Sequence, residues 1–448
     1  MLRSFILSLL LAAASVAAVQ PTAQDAKMQW WRDARLGMFI HYGLYSGLEC
    51  AYEGQDGHGE WTQNNLGLDS ERYARAAFPL FRPAPDCAEQ WAKLAERAGC
   101  RYMVLTTKHH EGFALFDAHN SDYTAAKLLG RDLVREFTEA CRAHGMRVGY
   151  YHSVIDWHEQ DYDYTRKSNL PYPRDQKTWL ESRRIPRNHA AYIDYLHGQV
   201  DDLVSNYGQV DVIWWDYSNG ELAGDAGWRA GELLAHCRSK QPGIIMNNRL
   251  FSFAAEDMRH FSDRADFSTP EKQIPDYGAL PEYDWESCMT VGRHWGYSRF
   301  EHEYKSPARV IGMLEDCVAR GGNLLLNIGP KPDGSVPTEV VNVFERLGDW
   351  MQVNGEAVYG SRPVLTAAPV RMTTVQGKRY ILLPAEPQQE ILIPAAAAGN
   401  ACGAVVLGQP DGKVQGECTE QGLRLRLPVE AWQHAVEGLP VLKLTAAE

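Results

Sequence analysis

Residues 211–216 read Asp-Val-Ile-Trp-Trp-Asp, an apolar run that ends abruptly in a carboxylate. Valine, isoleucine and tryptophan favour a buried β-strand. An ionised carboxylate loses several kcal/mol of hydration on burial unless partners are supplied, so Asp216 needs a reason to lie there. It is either the cap of a following helix, as Asp often is after a strand, or a functional group at the end of the strand.

Seven further short apolar runs surround this one, and most of them are followed by a helical pattern. The eight runs are 36–43, 101–107, 147–153, 211–216, 243–249, 265–269, 285–291 and 323–329. Amphipathic helices are predicted at 85–99, 130–144, 189–207, 226–240, 305–320 and 338–353. This alternation predicts a parallel sheet that closes into a (β/α)8-like barrel, with the chemistry at the C-terminal ends of the strands. The run at 265–269 is weak, and an open doubly wound sheet is the alternative.

The ends of the chain differ from this pattern. Residues 1–18 combine Arg3, an apolar centre and small residues before a cleavage point, which predicts a secretory signal peptide and a periplasmic or secreted protein. Residues 19–358 form the predicted catalytic barrel. From 359 to 448, short strands separated by Gly and Pro predict a small C-terminal antiparallel β-sandwich.

Composition narrows the kind of partner. The 448 residues carry a formal net charge of -12 with scattered Lys and Arg, which argues against a nucleic-acid partner or an anionic membrane surface. No later apolar run has transmembrane length. Most of the nine cysteines fall in buried patterns and are expected to be free thiols, with Cys402 and Cys418 the one pair to test. No spacing predicts a structural zinc.

Polar and aromatic residues cluster at the ends of seven of the predicted strands. Such a mouth suits a neutral polyol, because hydroxyl groups need fixed donors and acceptors while C–H surfaces pack on aromatic faces. Hydrolysis of its acetal would need two carboxyl groups in different roles. A zinc hydrolase built on His41, His109, His110 and His152 is the competing interpretation. It is disfavoured because adjacent His109 and His110 should not both point inward from a regular strand, and because no zinc-binding spacing is present.

Ordered sequence blocks resemble the α-L-fucosidases of glycoside hydrolase family 29. They are WRDARLGMFIHYGLYS at 31–46, TKHHEGFALFD at 107–117, GYYHS at 149–153 with DW at 156–157, WESCMT at 285–290, HWGY at 294–297, GGNLLLNIGP at 321–330 and NGEAVY at 354–359. The resemblance implies a barrel followed by a β-sandwich, no metal or other cofactor, and hydrolysis of terminal α-L-fucose with retained configuration. The partner would be a fucosylated oligosaccharide or glycoconjugate.

The resemblance also implies roles for particular residues. Asp216 matches the nucleophile at the end of the fourth strand, although Tyr217 and the residues after it depart from the family's usual turn. Glu271 is the expected acid/base, with Glu286 as the alternative, and retention requires its carboxyl to lie about 5–5.5 Å from that of Asp216. The implied sugar contacts are His41, Glu60, Trp61, His109, His110, Tyr151, His152, Trp214, Arg249 and Trp295.

Some alternatives stay open at this stage. Tyr151 and His152 are neighbours on one strand, so only one should face the sugar. The barrel could hydrolyse another sugar such as galactose, or bind fucose without turnover. Sequence does not decide the fucosyl linkage or the oligomeric state. The Gly-rich and acidic insert at 47–59 either lies at the entrance and influences which leaving group is accepted, or is simply a solvated loop.

Overall fold

The computed structural model describes residues 23–162, 186–218, 223–251, 265–281, 283–366, 370–409 and 411–446. The predicted signal peptide at 1–18 lies outside these residues. Across the described ranges, we find no helix with the length and apolarity needed to cross a membrane. All nine cysteines are free thiols, including Cys402 and Cys418.

Seven parallel strands form most of the barrel. They are β1 (Leu36–Ile40), β2 (Tyr102–Lys108), β3 (Arg147–Ser153), β4 (Val212–Asp216), β5 (Ile245–Met246), β6 (Glu286–Thr290) and β7 (Asn323–Ile328). Their spatial order is β5-β4-β3-β2-β1-β7-β6, so β5 and β6 are the two edges of the sheet.

The weak run at 265–269 closes the gap between these edges. Phe267 pairs in parallel with Asn247 directly after β5, and Ser268 pairs in parallel with Trp285 directly before β6. Pro270 has no N–H to continue a ladder, which helps to keep this segment short. The expected (β/α)8-like barrel is confirmed, with an eighth stave reduced to isolated bridges, and the open doubly wound sheet is wrong.

Helices surround the barrel and fill its connections. The α-helices of the described ranges are α1 (Ala23–Ala34), α2 (Leu44–Gly47), α3 (Thr62–Asn65), α4 (Ser70–Ala77), α5 (Cys87–Ala98), α6 (Ala125–Leu129), α7 (Leu133–Ala143), α8 (His189–Ser205), α9 (Asp225–Trp228), α10 (Ala230–Lys240), α11 (Pro307–Ala319), α12 (Thr338–Asn354), α13 (Ala395–Ala398) and α14 (Glu430–Gln433). Short 3-10 helices lie at Gly59–Trp61, Asn248–Leu250, Tyr277–Ala279, Gly355–Ala357 and Val436–Gly438. A two-stranded hairpin, Ala51–Tyr52 with Gln55–Asp56, lies in the insert after β1.

Side chains of the barrel strands alternate between the barrel interior and the helices. Trp214 belongs to the cluster inside the barrel, whereas Trp215 packs in the larger cluster that includes the helices. The same alternation turns Asp216, two residues after Trp214, towards the interior. Helix α1 adds Met28 and Trp31 to the interior cluster and covers the N-terminal end of the barrel. Apolar side chains therefore fill the barrel interior at the N-terminal ends of the strands. The cavity described below lies at their C-terminal ends.

Eight antiparallel strands follow the barrel. They are β8 (Arg362–Pro363), β9 (Met372–Val375), β10 (Lys378–Leu382), β11 (Glu390–Pro394), β12 (Ala401–Val406), β13 (Lys413–Thr419), β14 (Gly422–Arg426) and β15 (Val441–Ala446), in the order β8-β9-β10-β15-β12-β13-β14-β11. The expected C-terminal sandwich is confirmed.

Strand β13 joins the two layers of this sandwich. Its first half pairs with β12, and its second half, from Gly416 onward, pairs with β14. A Cβ at Gly416 would lie 2.2 Å from the carbonyl oxygen of Cys402, so only glycine allows the two strands to approach this closely. The sheet therefore folds over its own apolar core, which includes Ile381, Leu425 and Trp432.

Candidate active site

A cavity of about 70 Å³ lies at the C-terminal ends of the barrel strands. It is lined by Phe39, His41, Glu60, Trp61, His109, His110, Tyr151, Trp214, Asp216, Tyr217, Arg249, Glu271 and Trp295. Except for His152, every residue expected to contact the sugar lines this cavity, together with Asp216 and Glu271.

Asp216 is held by donors on neighbouring strands. The Tyr151 hydroxyl donates to its Oδ2 at 2.7 Å, and Arg249 donates to its Oδ1 at 2.8 Å. The His110 Nε2 lies 3.9 Å from Oδ2. The next described helix, α9, has Gly224 as its N-cap. Asp216 therefore does not cap that helix, and Tyr151 and Arg249 instead fix the orientation of its carboxyl group at the cavity.

Glu271 follows the short eighth stave and lines the same cavity as Asp216. Arg249 donates to its Oε2 at 3.0 Å, and the Trp295 indole N–H donates to its Oε1 at 3.2 Å. Its side chain is 32% exposed, against 12% for that of Asp216. Of the two carboxyl groups, that of Glu271 is therefore the more accessible to solvent.

Arg249 holds both carboxylates with one guanidinium. It follows β5 in a 3-10 turn, its Nε donates to Thr269 Oγ1 at 2.8 Å, and it lies 4.5 Å from the ring centre of Trp214. Burial alone would lower the pKa of Arg249, but Glu271 and Asp216 raise it above its usual value. The guanidinium is therefore a permanent cation that partly neutralises two acids in one small cavity.

Three histidines also line the cavity. His41 Nδ1 lies 2.7 Å from Asn327 Oδ1, and its ring stacks on Trp295 at 4.9 Å. His110 Nδ1 lies 2.7 Å from Ser153 Oγ, and His109 stacks on Tyr151 at 5.5 Å. Burial lowers the pKa of His41 and of His110 to about 3, and it lowers that of His109 well below its usual value. All three imidazoles are neutral near pH 7 and can each both donate and accept a hydrogen bond.

The sequence profile of the Alpha-L-fucosidase family matches residues 11–356. The chain belongs to this family, glycoside hydrolase family 29. Over 450 residues it is 29% identical to the Alpha-L-fucosidase of Dictyostelium discoideum, covering 94% of this chain and 92% of that protein.

Solved α-L-fucosidase structures are similar over nearly the whole chain. Isoenzyme 1 from Paenibacillus thiaminolyticus is 34% identical with a TM-score of 0.84, covering 95% of this chain and 100% of that one. A family 29 α-L-fucosidase from Bacteroides thetaiotaomicron, solved as a trapped covalent intermediate with 2-fluoro-fucosyl fluoride, is 25% identical with a TM-score of 0.78. That comparison covers 96% of this chain and 98% of the Bacteroides chain. The resemblance inferred from the sequence blocks is confirmed.

Two expectations about this α-L-fucosidase-family site need correction. His152 is buried outside the barrel interior, with Nδ1 3.1 Å from Thr107 Oγ1, so it does not reach the cavity. Its neighbour Tyr151 faces inward, because adjacent strand residues point to opposite faces. His109 and His110 both line the cavity, as the family resemblance implied, whereas the argument from strand alternation had allowed only one of them to point inward. Strand β2 ends at Lys108, so strand alternation no longer governs the two histidines.

Glu286, the alternative acid/base, lies away from the cavity of this family member. It begins β6 near the N-terminal end of the barrel and is buried. Tyr102 donates to one carboxyl oxygen, and the Trp214 indole N–H donates to the other at 3.2 Å. Burial raises its pKa to about 7. Trp214 thus lies between Glu286 and the cavity, and the hydrogen bond to Glu286 orients its indole ring.

Two cavity residues were missed by sequence reasoning. Phe39 precedes His41 by two positions on β1, so strand alternation could have placed it on the same face. Tyr217 follows Asp216 directly and has a φ of 67°, in the left-handed region. This conformation turns its ring into contact with Trp61 and His110, at 5.5 and 5.0 Å between ring centres. No strand pattern predicts such a turn.

Glu60 and Trp61 lie in the 3-10 turn directly after the insert at 47–59, and both line the cavity. The backbone N–H of Gly296 donates to Glu60 Oε2 at 3.2 Å, and burial raises the pKa of Glu60 to about 7.

A group of side chains that could hold a metal ion has two members close to Glu60 in the chain but lies outside the cavity lining. Among the described residues it is the single group of three or more ligand side chains within 4.8 Å of one another, formed by Asp56, His58 and His294. The histidines first considered as zinc ligands do not form such a group.

We expect His41 and His110 to stay neutral from pH 8 down to about pH 5, since burial lowers their pKa to about 3. Histidine ring NMR shifts across this range would measure it. His144 is an internal contrast, because Glu96 and Glu89 raise its pKa above the usual 6.5. The expectation fails if the His41 or His110 signals, assigned with His→Gln variants, titrate between pH 5 and 8.

Proposed function

We propose that the protein is a retaining exo-α-L-fucosidase that releases terminal α-L-fucose from glycans by double displacement. The observation that carries the proposal is the contact of one buried guanidinium, Arg249, with both Asp216 and Glu271 inside a cavity of this family's barrel. Retaining glycosidases need two carboxyl groups about 5–5.5 Å apart. Attachment to one guanidinium is consistent with so short a separation.

In the first step Asp216 attacks the anomeric carbon of fucose. A bond forms between its carboxylate oxygen and that carbon, the glycosidic C–O bond breaks, and the proton of Glu271 passes to the departing oxygen. Tyr151 and Arg249 stabilise the carboxylate charge before attack. Asp216 is buried at the end of β4, so its carboxylate approaches the sugar from the floor of the cavity.

In the second step Glu271 acts as a base. Its carboxylate takes a proton from a water molecule, the water oxygen attacks the anomeric carbon, and Asp216 departs as a carboxylate. Trp295 and Arg249 keep the Glu271 carboxyl at one place through both steps. Inversion at each step gives net retention.

The walls of the cavity suit fucose in particular. Neutral His41, His109 and His110 offer donors and acceptors to hydroxyl groups, while Phe39 and Trp214 offer aromatic surface to the C–H groups and the methyl. The filled barrel interior beneath Trp214 leaves no room for a chain that continues past the bound sugar. This supports removal of a terminal residue rather than cleavage within a glycan.

We also propose export. The composition of residues 1–18 supports a cleaved signal peptide and a periplasmic or secreted enzyme. Its partner would then be a fucosylated oligosaccharide or glycoconjugate outside the cytoplasm.

The decisive test compares 4-nitrophenyl α-L-fucoside with 4-nitrophenyl β-D-galactoside. We expect turnover of the fucoside with far higher kcat/KM, and NMR of the first-formed product should show α-L-fucose. Faster galactoside turnover would favour a different glycosidase, and fucose binding without turnover of any fucoside would favour a non-catalytic barrel. β-L-Fucose as the first product would exclude retention.

A further inference from the structure

A second cavity, of about 500 Å³, lies at the same end of the barrel and is strongly cationic. Its charged lining residues are Lys272, Arg293, Lys305 and Arg309, against a single carboxylate from Glu303. Three chain segments contribute them: the one after Glu271, the loop after β6, and the approach and first turn of α11. Such a concentration of positive charge is unusual in a chain with a net charge of -12.

Backbone carbonyl groups orient the two lysines of this cluster, and its four cations form no ion pair with the described carboxylates. Lys272 Nζ donates to the carbonyl oxygen of Arg293 at 2.8 Å, and Lys305 Nζ donates to those of Thr290 and Gly292 at 2.6 and 3.3 Å. Within the part of the chain that the structure describes, no carboxylate oxygen lies within 4.0 Å of the four cationic groups. Burial, Arg309 and Lys272 lower the pKa of Lys305, while the Glu301 carboxylate opposes them in part. The cluster therefore retains a local field that attracts anions.

This cavity adjoins the proposed active site on the acid/base side. Lys272 directly follows Glu271, and its Nζ lies 5.3 Å from the ring centre of Trp295. Trp295 in turn donates to Glu271. A proton donor to the glycosidic oxygen faces the leaving group, so the space beyond Lys272 and Trp295 lies towards the glycan that departs.

We propose that the second cavity binds an anionic group, a carboxylate or a sulfate monoester, on the glycan from which fucose is removed. This inference rests on the proposed fucosidase function, because it uses Glu271 to define the leaving-group side. The fucose itself is uncharged, so the anion would select the substrate without entering the first cavity. Arg293 and Arg309 can each present two N–H groups to such an anion, whereas the lysines act as point charges.

The test compares three substrates: a neutral fucosylated N-acetyllactosamine, the same glycan with a sulfate monoester, and the same glycan with a sialic acid carboxylate. We expect kcat/KM to be about 10-fold higher for at least one anionic glycan at low salt. The preference should shrink as NaCl rises to about 0.5 M, because ionic strength screens exposed charges. The two anionic substrates show which source of charge is accepted.

The variant Arg293→Gln/Arg309→Gln should abolish the preference while leaving kcat/KM on 4-nitrophenyl α-L-fucoside unchanged. Lys378→Gln/Lys413→Gln makes the same change in net charge on exposed strands of the C-terminal sheet and should keep the preference. No preference in the wild type, or one that survives in the arginine variant, overturns the inference.

Calorimetry with the defucosylated sulfated and sialylated glycans separates this inference from the proposed function. We expect the wild type to bind at least one of them and the arginine variant to lose that binding. Failure of the proposed function would appear as no turnover of 4-nitrophenyl α-L-fucoside, whereas failure of the anion site would appear as turnover without any charge preference or anionic-glycan binding.

Discussion

Replacement of Asp216 by glycine should lower kcat on 4-nitrophenyl α-L-fucoside by at least about 10⁴-fold, because it removes the carboxylate proposed to form the covalent bond to the sugar. Added azide can enter the space left by the side chain and attack the anomeric carbon directly. A single displacement inverts that carbon, so the product should be β-L-fucosyl azide. Stopped assays with product NMR measure both effects.

The Asp216→Gly variant must be shown to fold before its loss of activity can be assigned to the missing carboxylate. Arg249 keeps its contacts with Glu271 and Thr269 when Asp216 is removed, so the guanidinium is not left without a charged partner. We expect a circular dichroism spectrum like that of the wild type. Asp216→Asn, which preserves the shape of the side chain, should be comparably inactive. A folded Asp216→Gly protein that retains more than a few per cent of wild-type kcat would contradict the nucleophile assignment.

Replacement of Glu271 by alanine should produce a large loss that depends on the leaving group. We expect kcat/KM on a natural fucosylated glycan to fall by about 10²–10⁴-fold, the usual contribution of a positioned acid. A fucoside with a 2,4-dinitrophenyl leaving group needs little protonation, so its first step should be much less affected. Azide should then attack the glycosyl-enzyme and give α-L-fucosyl azide, the anomer opposite to that from Asp216→Gly.

Glu286→Gln is the matched control for the second carboxylate. Glu286 is buried and bonded to Tyr102 and Trp214, away from the cavity. We expect a loss of about 1–3 kcal/mol in the free energy of unfolding, from imperfectly paired donors. Its effect on kcat should be small and independent of the leaving group. If azide rescue and leaving-group dependence followed Glu286 instead of Glu271, the acid/base assignment would be reversed.

The barrel could be predicted because the hydrophobic pattern of each strand is visible in its own sequence. The alternation of Trp214 and Trp215, one inside the barrel and one against the helices, follows from strand geometry alone. The run at 265–269 was weak in sequence and is short in the structure, where single bridges at Phe267 and Ser268 complete the ring. Local pattern and three-dimensional fold agree most closely where pairing is longest.

The site could be foreseen only in part. The residue types and their positions after strands were visible, and the family resemblance attached roles to Asp216 and Glu271. The orientation of His152 was not visible from the sequence blocks, whereas Glu286 could already be placed early in its strand. Both lie within or beside barrel strands, where a shift of one residue or a few ångströms along the barrel axis decides whether a side chain meets the cavity.

Amino-acid order alone was sufficient for the parallel barrel, the β-rich C-terminal region and the family, because hydrophobic periodicity and contiguous motifs are local properties of the chain. Packing in three dimensions decided that Arg249 joins Asp216 to Glu271, that both His109 and His110 enter the cavity, and that Lys272 and Arg309 meet in a second one. These contacts join segments far apart along the chain. Their geometry depends on barrel closure and on turns such as that at Tyr217, which no local periodicity encodes.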